Sequence, residues 1–306
     1  MRLAALITFL AFALQAGISA IIVTIPPQIE AAKAIAGNDV QILSIVPSGS
    51  IPENYMPTPK QMIAFEKASL YVTIGAPFEK KILPKLQKSL PKLKIIDGSK
   101  GMKLREMTEE HHHHGDHEHE THDPHVWLSI ENMRQFTKNV ADALCIEEPA
   151  KAAVFRERQN SYFKKLDALK NETSQRLAPF KGRVLLDNHP AFGYFADDFG
   201  LKQIAIEKEG KTAGAKHLAE ISMQIAAVHA TVLFVQPQFN RQTCEQIAKT
   251  HNLKIVVLDP LPSEYINGMK RIAETIEINM SGRLSGAHKK AQPEWAPLWR
   301  SQKSPT

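Results

Sequence analysis

Short apolar runs rich in β-branched residues punctuate the chain. In the first half they are IIVTI at 21–25, QILSIV at 41–46, YVTIG at 71–75 and LKIIDG at 93–98. Each is bounded by Gly, Pro, Asn or Ser, the pattern of a buried strand between turns. Between them lie stretches of helical period. In PQIEAAKAIAG, Ile29, Ala32, Ile35 and Ala36 share one face and Gly37 is a natural stop; TPKQMIAFEKA is a second such stretch. The second half repeats the scheme with RVLLD at 183–187, KQIAIE at 202–207, TVLFVQ at 231–236 and KIVVLD at 254–259. Helical segments AKHLAEISMQIAAVHA and NRQTCEQIAKTHN alternate with these. Strands alternating with helices predict parallel sheets covered on both faces. The expected fold class is therefore α/β, with two similar lobes, each a mostly parallel sheet flanked by helices.

Between the lobes, 148–178 consists of strong helix formers, with Pro149 tolerated in a first turn and Pro179 closing it. It predicts one long rigid helix of about 45 Å that limits lobe motion. The expected division is 1–20, 21–147 for the N-terminal lobe, 148–178 for the helix, 179–287 for the C-terminal lobe, and 288–306 as a disordered Pro- and Lys-rich tail with Trp295 and Trp299. The first segment, MRLAALITFLAFALQAGISA, has Arg2, an apolar run and small residues suited to cleavage after Ala20, which predicts a cleavable secretory signal and a periplasmic protein. Gln15 and Gly17 interrupt the run well short of the roughly 20 apolar residues of a membrane span.

Composition removes some alternatives. A net charge of +6 over 306 residues, with no basic stripe interleaved with aromatics, argues against nucleic acid. The two cysteines, Cys145 and Cys244, have no metal-type spacing and read as separate small apolar groups. A monomer is expected.

In open α/β sheets, ligands bind beyond the carboxyl ends of the strands. Four loops in such positions present Glu53, His125, His189 and Asp259. Each alone is a weak signal; together they make an N/O set suited to a divalent first-row ion.

Several stretches in order, PENYMPTP at 52–59, DPHVWLS at 123–129, HPAFGYFADDFGL at 189–201, FVQPQF at 234–239 and LDPL at 258–261, resemble the metal-binding solute-binding proteins of bacterial ABC importers that serve zinc and manganese. The IGAPFEKKILPKL segment resembles that family's Gly-x-x-x-Glu turn. The resemblance covers nearly the whole chain after the first segment. It implies a metal site in the interlobe cleft, ligated by His125, His189, Asp259 and the residue at position 53, and a membrane permease as partner. The family usually has histidine where this chain has Glu53. A second carboxylate shifts preference toward manganese or ferrous ion.

Eight of the thirteen histidines fall between His111 and His125. His111, His112, His113, His114, His117, His119 and His122 lie in the run 111–122, which has no apolar period and reads as an exposed loop. Imidazole tracts bind zinc well and manganese poorly. The run therefore reads as a zinc-collecting loop and outweighs Glu53, making zinc the expected ion, with manganese as the alternative. A secreted metalloprotease is the rival class. The HExxH pattern fails, because Thr121 and Asp123 stand where its second histidine belongs. Four protein ligands also suit capture rather than catalysis, so no enzyme activity is expected. A periplasmic metal buffer would share the site without a transporter.

Overall fold

The computed structural model describes residues 17–106, 122–207, 214–239 and 242–281. The expected histidine run except His122, the first sixteen residues and the tail lie outside these. The N-terminal lobe comprises β1 (Ala20–Val23), α1 (Pro27–Ala36), β2 (Gln41–Ser44), α2 (Pro59–Phe65), β3 (Leu70–Val72), α3 (Glu79–Ser89), β4 (Lys94–Ile96) and α4 (Ile130–Glu147). After α5 (Ala152–Leu177), the C-terminal lobe follows with β5 (Val184–Asp187), α6 (Gly193–Phe199), β6 (Lys202–Ala205), α7 (Ala215–Ala227), β7 (Val232–Val235), α8 (Gln242–His251), β8 (Lys254–Val257) and α9 (Tyr265–Met280).

Both sheets are parallel and share one strand order, β2-β1-β3-β4 and β6-β5-β7-β8. Burial follows position. The inner strands β1, β3 and β7 are buried throughout, whereas the edge strands β2, β4, β6 and β8 each open on an exposed polar residue. A strand covered on both faces is apolar almost throughout, and β5 departs from this at its last residue, Asp187, so the inner strands read as near-continuous runs.

The expected linking helix is α5, flanked by short 3-10 turns at Pro149–Lys151 and Ala178–Phe180. It is more than a spacer. Phe155, Tyr162, Leu166, Leu169 and Leu177 lie on one buried face that packs against α1, α4 and α9. Arg158 donates from Nη1 to the carbonyls of Ile35 (3.1 Å) and Ala36 (2.8 Å) and so caps α1. Gly37 ends that helix at φ +99°, and a Cβ there would lie 2.5 Å from the Arg158 guanidinium. One apolar core runs from the N-terminal sheet through α5 into α6 and α9. A smaller core, including Leu186, Ile206, Ile225 and Leu253, lies under α7 and α8.

The expected boundary after Ala20 falls inside a strand. Ala20 is the first residue of β1, pairs with Gln41 and is buried, and Ile18 N donates to Glu148 Oε1 at 2.6 Å. Among the described residues, no helix is long and apolar enough to cross a membrane. Cys145 lies on α4, and Cys244 is buried on α8 in the other lobe.

Candidate metal site

Glu53 sits in the 3-10 turn Pro52–Asn54 that follows β2. The turn is braced from α2: Thr58 caps that helix in a reciprocal capping box with Gln61, whose Oε1 also accepts from Tyr55 Oη at 2.7 Å and whose Nε2 donates to Ile45 O at 2.9 Å. His125 immediately precedes the buried 3-10 turn Val126–Leu128, ahead of α4. His189 lies two residues beyond β5. Glu53 and His189 lie in loops beyond the carboxyl ends of β2 and β5, as the strand-end rule requires, and His125 enters from the segment ahead of α4.

Their ligand atoms lie within 4.8 Å of one another. Glu53 Oε1 is 4.0 Å from His125 Nε2 and 3.9 Å from His189 Nε2. Around a tetrahedral ion with bonds of about 2.0–2.1 Å, adjacent donors stand about 3.3 Å apart. Inward movements of well under an ångström per group would therefore form a first coordination shell.

Each imidazole has its other nitrogen engaged by a carboxylate. His125 Nδ1 is 2.8 Å from Asp123 Oδ1, which also accepts from the His125 backbone N–H at 2.9 Å. His189 Nδ1 is 3.1 Å from Glu207 Oε2. A carboxylate partner fixes Nδ1 as the protonated nitrogen and leaves Nε2 as the lone-pair donor, the arrangement of metal-bound histidines. His189 Nε2 is buried with no hydrogen-bond partner among the described residues. Burying an imidazole nitrogen unpaired is costly, and a cation at that point removes the cost.

The cavity these groups enclose is about 10 Å³, lined by Glu53, His125, Trp127, His189, Phe239 and Pro260 among others. That is ion-sized, far below the 300–1,000 Å³ typical of organic ligands. A larger cavity of about 360 Å³ opens at the opposite end of the C-terminal sheet, between Arg183, His229 and Met280, and none of the four expected ligands lines it.

Asp259, the fourth expected ligand, does not join the three-residue group. It is exposed, and its Oδ1 accepts from Gln238 Nε2 at 2.9 Å and from Leu261 N at 3.0 Å. Its neighbours Pro260 and Leu261 do line the cavity. His122 is exposed and forms an antiparallel bridge with Glu106 at the base of the histidine run.

Sequence reasoning placed the strand-end residues and missed their supports. The two glutamines of the FVQPQF stretch each hold one loop: Gln236 donates to His189 O at 2.8 Å, and Gln238 holds Asp259. Trp127 ties the lobes, donating from Nε1 to Pro260 O at 2.8 Å and accepting at its carbonyl from Tyr265 Oη at 2.9 Å. Glu207, a strand-end carboxylate, could have been found by the rule that found His189. Beneath it, burial pushes the Asp187 carboxyl well above the ordinary carboxylate range.

A family profile described as "Zinc-uptake complex component A periplasmic" matches residues 21–278. The zinc-binding lipoprotein AdcA of Streptococcus pneumoniae serotype 4 is 30% identical over 252 residues, covering 79% of this chain and 50% of that protein. The zinc-binding protein AdcA of Streptococcus pyogenes serotype M3 is 27% identical over 285 residues, covering 84% of this chain and 55% of its own length. The chain thus spans about half the length of these curated relatives. A crystal structure of ZnuA superposes with a TM-score of 0.79 at 30% identity, covering 86% of this chain and 99% of that one. A zinc-bound ZnuA lacking residues 138–173 of its own sequence superposes with a TM-score of 0.78 at 29% identity, covering 90% of this chain and all of the other. The periplasmic zinc-binding protein TroA of Treponema pallidum, at 21% identity, shares the fold. With the profile spanning both lobes and every strand that presents a candidate ligand, this chain belongs to the family of periplasmic zinc-uptake component A proteins.

Proposed function

We propose that this protein captures zinc outside the cytoplasm, in the periplasm, and delivers it to an ABC-type membrane permease. The observation that carries the reading is the buried Nε2 of His189, unpartnered among the described residues and facing Glu53 Oε1 beside a second imidazole that is also backed by a carboxylate. The names and structures of the relatives support zinc as the ion. Glu53, His125 and His189 are the first three ligands. Asp259 is the fourth, turning from Gln238 toward the ion, which brings the set to four and leaves no open position for catalysis. The histidine run from His111 to His122 collects zinc next to this site, whose His125 follows within a few residues.

The test is competitive zinc and manganese titration of the purified protein beside a version lacking 111–122. One tight zinc site is expected to survive the deletion while weaker sites vanish. His125→Ala or His189→Ala should each weaken tight zinc binding by more than about 100-fold, beyond what loss of an outer partner causes. Unchanged affinity in both histidine variants refutes the site. Loss of the tight site with the run would make the run itself the receptor.

A further inference from the structure

Arg105 lies outside every motif that carried the family resemblance, yet it stands at the junction of the two lobes beside the metal cleft. Its Nη1 is 3.3 Å from Asp123 Oδ2, while the other oxygen of that carboxylate engages His125. Its Nε donates to Asp197 Oδ2 on α6 of the C-terminal lobe at 2.9 Å. Its backbone N–H donates to Tyr194 Oη at 2.8 Å, and the same hydroxyl donates to Asp123 O at 3.0 Å. Asp123 N in turn donates to Arg105 O at 2.9 Å. Two segments of the N-terminal lobe and the first turns of α6 are thereby joined around one guanidinium.

The approach of α6 depends on Gly193. A Cβ at that position would lie 2.7 Å from both Arg105 Nη1 and Asp123 Oδ2. Only a residue without a side chain lets the helix start against the pair. Asp123 is 4% exposed, so its charge needs a partner, and among the described residues Arg105 pairs with it. Asp197 is more than half exposed, and its bond to Arg105 spans the lobes.

We infer that Arg105 is a positioning residue for the metal site. It orients the His125 imidazole through Asp123 and, by holding Asp197, resists separation of the lobes, so that it governs how slowly captured metal leaves. The inference rests on the reading that Glu53, His125 and His189 hold the ion. Arg105 acts through groups already in place around the bound ion, so along one common path of entry and exit its loss destabilises the loaded state more than the barrier to entry. The release rate is therefore the quantity that Arg105 controls, more than the capture rate.

The experiment is chelator-driven zinc release from the loaded full chain, followed by stopped flow, with zinc association measured alongside. Arg105→Ala should accelerate release about 10–100-fold, the range for loss of an outer-shell partner, and change association less than about threefold. Arg105→Lys should recover part of the loss by restoring the charge without the fork. Asp197→Asn, an exposed change compatible with folding, should accelerate release a few-fold, and Gly193→Ala should do so with no polar group altered. Release within twofold of wild type in Arg105→Ala and Asp197→Asn overturns the inference. So does a lowered thermal midpoint of the metal-free protein with release unchanged. His125→Ala serves as the control: if it too retains tight zinc, the site reading has failed, and if it alone loses zinc, only the role of Arg105 has.

Discussion

The two histidines face one cavity but are held in different ways. In the N-terminal lobe, His125 and its carboxylate Asp123 belong to one turn, and the pair is buried and braced by Arg105. In the C-terminal lobe, His189 takes its carboxylate, Glu207, from the end of the neighbouring strand, and Glu207 is about a quarter exposed. The sheets beneath differ in the same sense. β1 and β3 pair at three successive positions, whereas β5 and β7 pair only at Asp187 and Phe234. The N-terminal lobe also shares the large core with α5, whereas the outer part of the C-terminal lobe rests on a small one. One histidine is thus locally built and deeply supported, and the other is assembled across neighbouring strands against a partly exposed carboxylate. A shared strand order does not give shared rigidity at the site.

Exchanging these supports tests the comparison most strongly. Asp123→Ala should weaken zinc binding about 100-fold and Glu207→Ala nearer 10-fold, the two ends of the outer-shell range, as measured by competition with a zinc-sensitive chelator. Equal losses would mean that the difference in support has no energetic weight at the site. A smaller effect is expected at Glu53, whose side chain is 43% exposed. Glu53→Ala should cost less than loss of either histidine. Glu53→His should raise the ratio of zinc to manganese affinity, because it exchanges a hard oxygen donor for an imidazole; an unchanged ratio would remove Glu53 from the ligand set.

The smallest effect concerns how each lobe locks its inner strands. In the N-terminal lobe, the buried Glu79 carboxyl accepts from Thr24 Oγ1, from Tyr71 Oη at 3.3 Å, and from Ile74 N and Gly75 N at 2.9 Å each. The C-terminal lobe uses a neutral amide, Asn188 Oδ1 accepting from Gln236 N at 2.8 Å. Burial pushes Glu79 above its ordinary value of 4.5 despite these donors. A carboxyl whose folded value exceeds its unfolded one contributes fully below the ordinary value, and that contribution is lost as pH rises through the folded value. In urea denaturation of the metal-free protein, wild type should exceed Glu79→Gln most near pH 5, with the gap narrowing toward pH 8. A gap independent of pH would show that Glu79 titrates alike in both states.

Much of this architecture was legible in the chain. Apolar runs rich in β-branched residues located all eight strands because strands packed under helices are largely apolar, and Gly37 marked a real helix end. His125 was legible in the DPHVWLS stretch and not at a strand end, whereas Glu53 and His189 were legible because a strand's carboxyl end fixes where the following loop goes, and the structure brings the three together. Asp259 was found by the same rule, but the Gln238 contact that holds it off the three-residue group arises from the neighbouring strand end and leaves no trace near position 259. The helix at 148–178 was recognised by composition, while its role as a packed spine depends on α1, α4 and α9.

What the sequence by itself determined is therefore local: the alternation of strand and helix, the two lobes, and the chemical types offered at the strand ends. These follow from periodicity and turn chemistry, which act over a few residues. Only the tertiary structure decided which nitrogen of each imidazole faces the cavity, that the cavity is ion-sized, and that Arg105 reaches Asp197, 92 residues away. Side-chain pairing over such separations is set by how the lobes pack on α5, and no pattern confined to a short window carries that information.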